Sequence, residues 1–293
     1  VENGGTLADG MKQYPEAFDD LYVNMVRAGE AGGILDIILE RLALQLEKSM
    51  KLKREIKTAM IYPCVVISAA IIVTAILLVF VIPTFADMFS DFGSALPLPT
   101  QIVINISNFC VNNWAIIFGT LALLLTLFFR FQATQRGKEV LHPIALKLPV
   151  FGEIIRKVAV ARFSRTLGTM LSSGVPILDA LYICARTAGN SVVERDVQRA
   201  RVAISEGKSM VEPLSSSVVF PQMVVSMIGV GESTGALDAM LSKIADFYED
   251  EVDNAVTAMK QLIEPLMILI LGVIIGALVV AMYLPIFRMG TVI

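Results

Sequence analysis

The distribution of apolar and charged positions divides the chain into membrane-spanning and water-soluble parts. Residues 64–82 and 266–284 each run for 19 residues without a charged side chain, and residues 114–129 run for 16. About 20 apolar residues are needed to carry a helix across the roughly 30 Å of hydrocarbon in a bilayer. We therefore predict three transmembrane helices, which we place at 61–83, 112–131 and 264–286.

Lysine and arginine residues near these spans indicate how the chain is oriented. Residues 41–60 hold six of them and residues 130–150 hold four, whereas the connection between the first two spans holds none. Basic residues accumulate on the cytoplasmic side of a membrane. The chain is therefore expected to have two cytoplasmic domains and two segments on the other side. The domains are 1–60 and 132–263, and the outer segments are a loop at 84–111 and a tail at 287–293.

The sequence matches itself at one offset, 202 residues, without a gap. At this offset the run Gly-Glu-Ala-Gly-Gly-Ile-Leu-Asp at 29–36 lies on Gly-Glu-Ser-Thr-Gly-Ala-Leu-Asp at 231–238. Agreement at so many glycine and acidic positions in one register indicates a duplication. The two outer spans are then copies that cross the membrane in the same direction, and the middle span returns the chain to the cytoplasm.

The second cytoplasmic domain is predicted to be a bundle of about six helices. Its boundaries are marked by glycines that end helices and by prolines and serines that begin them. The markers are Arg162 at the start, Gly174, Pro176, Ser191, Gly207, Pro221 and a long last helix from 236 through 263. A start near Arg162 corresponds to a point about 40 residues before Val1 in the first copy, so we expect the first bundle to be truncated. Its long helix is predicted to pack through Leu35, Leu39, Leu42 and Leu46.

The repeated motif is the first candidate functional site. Its glycines permit positive φ angles and close helix contact, while its glutamates can bind free backbone N–H groups or a basic group of a partner protein. A capping turn with no further role and a geometry that couples the domain to a partner both remain open. The residues are Gly29, Glu30, Gly33 and Asp36 in the first copy, and Gly231, Glu232, Gly235 and Asp238 in the second.

Prolines and glycines of the outer spans form the second set of candidates. Pro63 and Pro265 lie where the long helices enter the bilayer, and either kink a helix, begin a new one or simply mark the boundary. A kink would couple the orientation of a bundle to the tilt of its span. Pro83 and Pro285 lie at the exits. The spacing of Gly272 and Gly276 suits close helix packing within the protein or between protomers.

Residues with obvious catalytic or metal-binding chemistry are scarce. The chain has one histidine, His142, and three cysteines. Gly207-Lys208-Ser209 resembles the end of a phosphate-binding loop but lacks the first glycine and the preceding strand. We therefore predict no catalytic, cofactor or metal site and no enzymatic activity. Residues 132–263 hold 14 basic and 14 acidic side chains, and this balance argues against nucleic acid as a partner.

Several of these features together resemble the type II secretion F family. They are the two helical units about 200 residues apart, the doubled glycine-glutamate motif, the pattern Phe-x-x-x-Leu-x-x-x-Leu-x-x-Gly at 163–174 and the ending Tyr-Leu-Pro-Ile-Phe at 283–287. Within that family the chain looks most like the platform proteins of type IV pili. The fold expected is an all-α integral membrane protein with two homologous cytoplasmic bundles and three transmembrane helices.

The resemblance also implies a function and partners. It implies a non-enzymatic assembly platform in the bacterial inner membrane, with the N-terminus cytoplasmic and the C-terminus periplasmic. Hexameric assembly and retraction ATPases would bind the bundles, and pilin subunits and other inner-membrane pilus components would meet the spans of a homo-oligomer. A type II secretion or archaeal filament platform remains an alternative. A transporter is a more distant one, because the spans offer almost no polar side chains.

Overall fold

The computed structural model of the chain describes residues 5–91 and 97–289, so residues 290–293 of the predicted tail lie outside it. These residues form helices and turns, with no β-strand among them. The prediction of an all-α protein is therefore confirmed. In chain order the helices are α1 (Leu7–Lys12), α2 (Asp20–Gly32), α3 (Leu35–Ile76), α4 (Ile82–Asp91), α5 (Leu98–Asn112), α6 (Trp114–Ala133), α7 (Gln135–Ala145), α8 (Phe151–Ser172), α9 (Ile177–Thr187), α10 (Ser191–Ser205), α11 (Val211–Ser215), α12 (Gln222–Thr234) and α13 (Leu237–Met289). A π-helical turn at Leu77–Val81 joins α3 to α4.

Residues Val1–Ile56 and Gln132–Thr257 form one compact unit, which we call the bundle. Its core is continuous and contains side chains from both copies of the repeat. Met25, Ile38 and Leu42 of the first copy are buried together with Leu181 and Ile228 of the second. Burial of each such side chain is worth about 1.5–3 kcal/mol. The helices of the first copy are therefore held in place by a core that they share with the second.

The structure repeats at the same offset as the sequence. α2 begins at Asp20 and α12 at Gln222, and the two long helices begin at Leu35 and Leu237, so that both differences are 202 residues. The short helices α1 and α11 precede α2 and α12 in the same order. Two stretches whose sequences are only partly identical therefore form the same order of short helix, turn and long helix.

The buried side of α3 differs from the predicted leucine stripe. Ile38 and Leu42 are buried, whereas Leu39 and Leu46 are 42% and 44% exposed. The helix is rotated so that positions 35, 38 and 42 face the core. Apolar residues lie on two neighbouring faces of this helix. The spacing of three and four residues that is expected of a buried stripe therefore fits either face. Our prediction was wrong for Leu39 and Leu46.

One helix start and one helix cap in the second copy differ from the prediction. α8 begins at Phe151, eleven residues before Arg162. α10 is capped by Asn190, whose side-chain oxygen accepts a hydrogen bond from the backbone N–H of Val192. Asparagine and serine are about equally good at this position, so the sequence Asn190-Ser191 did not distinguish them.

The second compact unit, which we call the membrane unit, comprises Lys57–Phe131 and Ala258–Ile293. Three helices of the described chain are long and apolar enough to cross a membrane, which agrees with the three predicted spans. Pro63 lies inside α3, and Pro265 and Pro285 lie inside α13. No new helix begins at Pro63 or Pro265, although each proline removes one backbone hydrogen bond and its ring crowds the carbonyl four residues earlier.

The connection predicted as a loop at 84–111 is largely helical. It contains the rest of α4 and most of α5, with residues 92–96 outside the described part. Pro97 precedes α5 as its N-cap residue, and prolines are suited to such starts. The placement of this connection outside the cytoplasm rested on the absence of lysine and arginine from it and stays a prediction.

Candidate functional site

Glycines of the repeated motif end the short helices that precede the long ones. Gly33 caps α2 with φ of 68° and Gly235 caps α12 with φ of 72°. Residues with a Cβ rarely adopt this left-handed conformation, which costs them about 1–2 kcal/mol. The turn into each long helix therefore depends on glycine at this position.

The first glycine of each motif allows the long helix to come close. A Cβ atom at Gly231 would lie 2.9 Å from the Cα of Leu237, and one at Gly29 would lie 3.2 Å from the Cα of Leu35. Both distances are too short for an ordinary contact with backbone atoms. The glycines thus fix the angle at which each long helix leaves its short partner.

The glutamate of the first motif binds backbone N–H groups. The Glu30 carboxylate accepts hydrogen bonds from the N–H groups of Leu7, at 2.6 Å, and Ala8, at 3.1 Å. These groups belong to the first turn of α1 and have no carbonyl partner within that helix. Of the two roles considered for the glutamate, binding free backbone donors is the one found at Glu30.

The glutamate of the second motif contacts the start of α11 indirectly, through the side chain of Ser209. The Ser209 hydroxyl donates to Glu232 at 2.7 Å and itself accepts from the N–H of Val211, the first residue of α11. Asp36 and Asp238 lie in the first turns of α3 and α13, where a negative charge is favourable. Each motif therefore links a short helix, a turn and the start of a long helix.

A cluster of four charged side chains connects three long helices of the bundle. Arg165 of α8 donates to both carboxylate oxygens of Glu249 in α13, at 2.7 and 2.8 Å, and also to Asp246. Lys48 of α3 lies 3.1 Å from Asp246 and 3.3 Å from Glu249. The cluster joins the long helices of the two copies to each other and to α8.

The electrostatics of this cluster favour its charged form. The Arg165 side chain is 14% exposed. Burial lowers the pKa of Arg165, but the hydrogen bonds that its guanidinium donates to the carboxylates of Glu249 and Asp246 outweigh this effect, so the pKa is raised overall. A two-pronged bond between a guanidinium and a carboxylate also fixes orientation.

This cluster was not predicted from the sequence. Its members are separated by up to 201 residues along the chain, from Lys48 to Glu249, and each resembles an ordinary charged position on the surface of a helix. The spacing of Asp246 and Glu249, three residues apart on one helix face, was the only local signal.

The two candidate glycines of the membrane unit have open space beside them. No atom of the described chain would lie within 4 Å of a Cβ at Gly272 or Gly276. The two glycines therefore make no close helix contact within the described part of the protein, and a contact between protomers stays a prediction. Pro83 is the second residue of α4, while Pro285 lies within the last turns of α13.

The single histidine lies in an open groove between α7, α9 and α10, with a volume of about 1290 Å³. Nδ1 of His142 accepts a hydrogen bond of 2.8 Å from the backbone N–H of Ser191. Burial, assisted by the charge of Lys138, lowers the pKa of His142. No group of three or more possible metal ligands is found among the described residues.

Comparison with known proteins identifies the family. A family model described as type II secretion system (T2SS), protein F, matches residues 1–83 and 163–285. The chain belongs to the type II secretion system protein F family. The two matched segments of this F-family chain carry the two copies of the repeat, and the middle span lies between them.

Relatives of this F-family chain include pilus and secretion proteins. It is 51% identical over 290 residues to the type IV pilus assembly protein PilC of Myxococcus xanthus, covering 99% of this chain and 70% of that protein. It is 45% identical over 291 residues to the type IV pilus assembly protein TapC of Aeromonas hydrophila, with the same coverage. Type II secretion system protein F of Pseudomonas aeruginosa is 32% identical over 291 residues, covering 99% of this chain and 72% of that protein.

Proposed function

We propose that this chain is the inner-membrane platform protein of a type IV pilus assembly machine. The observation that carries the proposal is the difference in similarity over nearly the whole chain. Identity is 45–51% to the pilus assembly proteins PilC and TapC, but 32% to the secretion protein F. The equivalent platform of a type II secretion system is the alternative, and a membrane transporter is a more distant one.

Deletion of the gene tests this assignment. The deletion strain is expected to lose surface pili and the motility that depends on them, while secretion of type II substrates continues. Complementation with the complete gene should restore pili. Loss of secretion with normal piliation would instead favour the type II alternative.

The proposed topology places the bundle in the cytoplasm. The N-terminus is cytoplasmic and the C-terminus periplasmic in the inner membrane, in accordance with the basic residues that flank the spans. The partners we propose are hexameric assembly and retraction ATPases at the bundle, with pilin subunits and other inner-membrane pilus components at the spans. The protein acts as a homo-oligomer, without nucleic acid and without enzymatic activity of its own.

The proposed mechanism is mechanical coupling along the two long helices. α3 and α13 each contribute residues to both compact units. A helix that continues through Pro63 or Pro265 can pass a movement of the bundle to the span that it forms. The repeated motifs define the direction in which each long helix starts, and the Arg165 cluster holds the two long helices together.

Co-purification with candidate ATPases tests the partner. We expect Glu232→Arg to reduce capture of an ATPase if the second motif lies at the interface. Ser209→Ala is the matched control, because it removes the hydrogen bond to Glu232 and keeps the charge. Equal loss in both variants would indicate a structural role for Glu232, and no loss in either would place the ATPase elsewhere.

Substitution of the membrane-entry proline tests the coupling. Pro265→Ala should reduce piliation while the protein is inserted in the membrane at normal levels. Pro143→Ala, inside α7 of the bundle, is the control for a proline that lies in no long helix. Unchanged piliation in Pro265→Ala would count against coupling through this position.

A further inference from the structure

The turn between α7 and α8 holds a strained residue at the surface of the bundle. Val150 has φ of 66° and ψ of −57°, and the N–H of Phe151 donates to the carbonyl of Pro149 at 2.8 Å. These values define a γ-turn of the rare, strained kind. Val150 is also the only residue other than glycine with a positive φ in the described part of the chain. Residues held in such conformations cluster at sites of binding or catalysis, so the turn is a candidate site.

Close winding of the chain keeps the turn in this conformation. The N–H of Gly152 donates to the carbonyl of Leu148 at 2.8 Å, and a Cβ atom at Gly152 would overlap the carbonyl oxygen of Leu146. Leu146 and Ile154, on either side of the turn, are 6% and 8% exposed. The turn is therefore held at both ends by buried side chains and is a rigid element.

Three apolar side chains of this turn lie at the surface. Leu148, Val150 and Phe151 are 48%, 43% and 42% exposed. Together with Pro149 they form what we call the apolar tip, residues 148–151. Apolar side chains stabilise a fold in proportion to the area that they remove from water. The bundle therefore gains little stability from the apolar tip, although it holds the tip in a strained conformation.

A groove beside the apolar tip carries positive charge. It has a volume of about 600 Å³, and Lys147, Arg156 and Lys157 line it. Lys157 binds two carboxylates, those of Glu153 at 2.8 Å and Glu251 at 2.9 Å. Lys147 and Arg156 make no ion pair with the described residues. Two positive charges of the groove are therefore available to a ligand.

Arg156 is arranged to bind an oxyanion. Its Nε is buried and has no hydrogen-bond acceptor among the residues that the structure describes. A buried charged donor without an acceptor destabilises a fold. Nε–H and the neighbouring Nη–H lie on one edge of the planar guanidinium and can bind both oxygens of a carboxylate or phosphate at once. Arg156 is therefore a site for one oxyanion beside the apolar tip.

The apolar tip favours a protein as the source of this oxyanion. Free phosphate brings no apolar surface, whereas a segment of a protein can place a carboxylate beside apolar side chains. A phospholipid also combines the two, but Tyr248 in the wall of the groove lies 18 residues before Leu266. At 1.5 Å per residue this is about 27 Å along α13, and it separates the groove from the uncharged run of the third span.

We propose that the apolar tip, Lys147 and Arg156 form a docking site for a cytoplasmic protein that presents a carboxylate flanked by apolar side chains. The carboxylate binds Arg156 and Lys147, and its apolar neighbours cover the tip. Because the strained turn already holds the tip in place, binding does not have to order it. The proposal deepens the proposed function, on which it rests for the cytoplasmic location of the bundle.

Photo-cross-linking in the living cell tests the docking site. In the complete protein, p-benzoylphenylalanine replaces Leu148 in the apolar tip or, as a control, Val202, which is 50% exposed on α10. We expect position 148, and not position 202, to cross-link to one cytoplasmic protein, through a peptide that contains aspartate or glutamate. Lys147→Glu and Arg156→Glu should each reduce the cross-link several-fold, whereas Lys243→Glu, at an exposed position of α13, should not.

Two further variants separate docking from a structural role. Changing the acidic residue of the linked peptide to arginine should restore the cross-link to Arg156→Glu. Val150→Gly should weaken the cross-link without lowering the unfolding midpoint, because glycine adopts positive φ freely. A turn with only a structural role would lose no cross-link in Val150→Gly.

Other outcomes would overturn the docking site. They are a cross-link from position 148 only to lipid, only to a second copy of the chain or to no protein, and a cross-link that is unchanged in both charge reversals. Loss of pili on deletion of the gene is measured independently. Failure of the docking site with normal results in that deletion would therefore leave the proposed function intact.

Discussion

The carboxylate of Glu30 accepts a hydrogen bond of 2.6 Å from the backbone N–H of Leu7. Its second oxygen binds the N–H of Ala8, so one side chain satisfies two of the donors that a helix start leaves free. In the second copy, Glu232 reaches the equivalent helix through the hydroxyl of Ser209. The motif is therefore a structural link in both copies, whatever partner the bundle binds.

Replacing Glu30 should loosen the start of α1. Glu30→Ala removes both acceptors, and by analogy with the loss of an N-cap residue we expect a local cost of about 1 kcal/mol. Hydrogen exchange of a peptide covering residues 5–12 should become faster, and Glu30→Gln should restore part of the protection through its amide oxygen. Glu40→Ala, at an exposed position of α3, is the control. Unchanged exchange in Glu30→Ala would show that the bonds contribute nothing to α1.

A methyl group at Gly231 should force α12 and α13 apart. The added Cβ would lie 2.9 Å from the backbone of Leu237, and overpacking of this kind costs about 1–3 kcal/mol. Gly229→Ala is the matched control in the same helix, because its Cβ would meet only the end of the Val211 side chain, at 3.2 Å. Thermal unfolding of the detergent-solubilised chain should show a lower midpoint for Gly231→Ala than for Gly229→Ala. The reverse order would contradict the close approach.

Much of the fold was predictable because its signals are local or repeated. Uncharged runs gave the three spans, and the offset of 202 residues gave the duplicated motif with its capping glycines. The buried face of α3 was not predictable, since Ile38 and Leu39 are both apolar and only packing in the shared core, including the close approach of Ile38 to Gly29, selects Ile38. Local pattern defines a helix but not its rotation when both faces are apolar.

Contacts between distant residues account for the other differences. The cluster of Lys48, Arg165 and Glu249 depends on three helices meeting, which no spacing along the chain reveals. Likewise, nothing in the sequence of α5 indicated that Thr100 and Ser107 donate hydrogen bonds to the carbonyls of Ala281 and Leu78. A side chain that donates a hydrogen bond to a backbone carbonyl of another helix cannot be recognised from the sequence of its own helix.

The salt-bridge cluster should contribute to the stability of the bundle. Arg165→Ala removes three charge-assisted hydrogen bonds, and bonds to charged groups are worth about 1.5–3 kcal/mol each at most. We expect a lower unfolding midpoint, and only partial rescue by lysine, which cannot bind both oxygens of Glu249 in the same plane. Lys208→Ala, which breaks an exposed pair with Glu206, is the control and should have little effect.

A double-mutant cycle separates this interaction from the loss of packing. Arg165→Ala and Glu249→Ala should be clearly less than additive, because each removes the same bidentate bond. Additive effects would mean that the two side chains stabilise the bundle independently of each other.

Stability of the bundle should depend on the protonation of His142. Its Nδ1 must be unprotonated to accept the Ser191 N–H, and burial lowers its pKa below the ordinary value of about 6.5. As pH falls below that value the unfolded chain takes up the proton first, so stability decreases until the pH has passed the lower pKa of the folded chain. Above pH 6.5 this contribution is complete.

Unfolding midpoints measured between pH 5 and 8 check this expectation. The chain has a single histidine, so His142→Asn, which keeps an acceptor oxygen without a titrating group, should flatten the profile in this range. His142→Leu should lower stability at neutral pH because the Ser191 N–H loses its acceptor. A slope that persists unchanged in His142→Asn would assign the dependence to other groups.

Leucine at Gly272 and Gly276 should weaken association between protomers. Within the described chain a side chain at either position meets open space, so the fold of the protomer has no reason to change. If the two glycines form a close helix contact with a second copy, bulky side chains would remove an interaction of the order of 1 kcal/mol. Energy transfer between labelled copies in vesicles should decrease in the double variant that carries both Gly272→Leu and Gly276→Leu. Gly119→Leu in α6, which is equally open, is the control, and an equal decrease there would show a general effect of bulk rather than a specific contact.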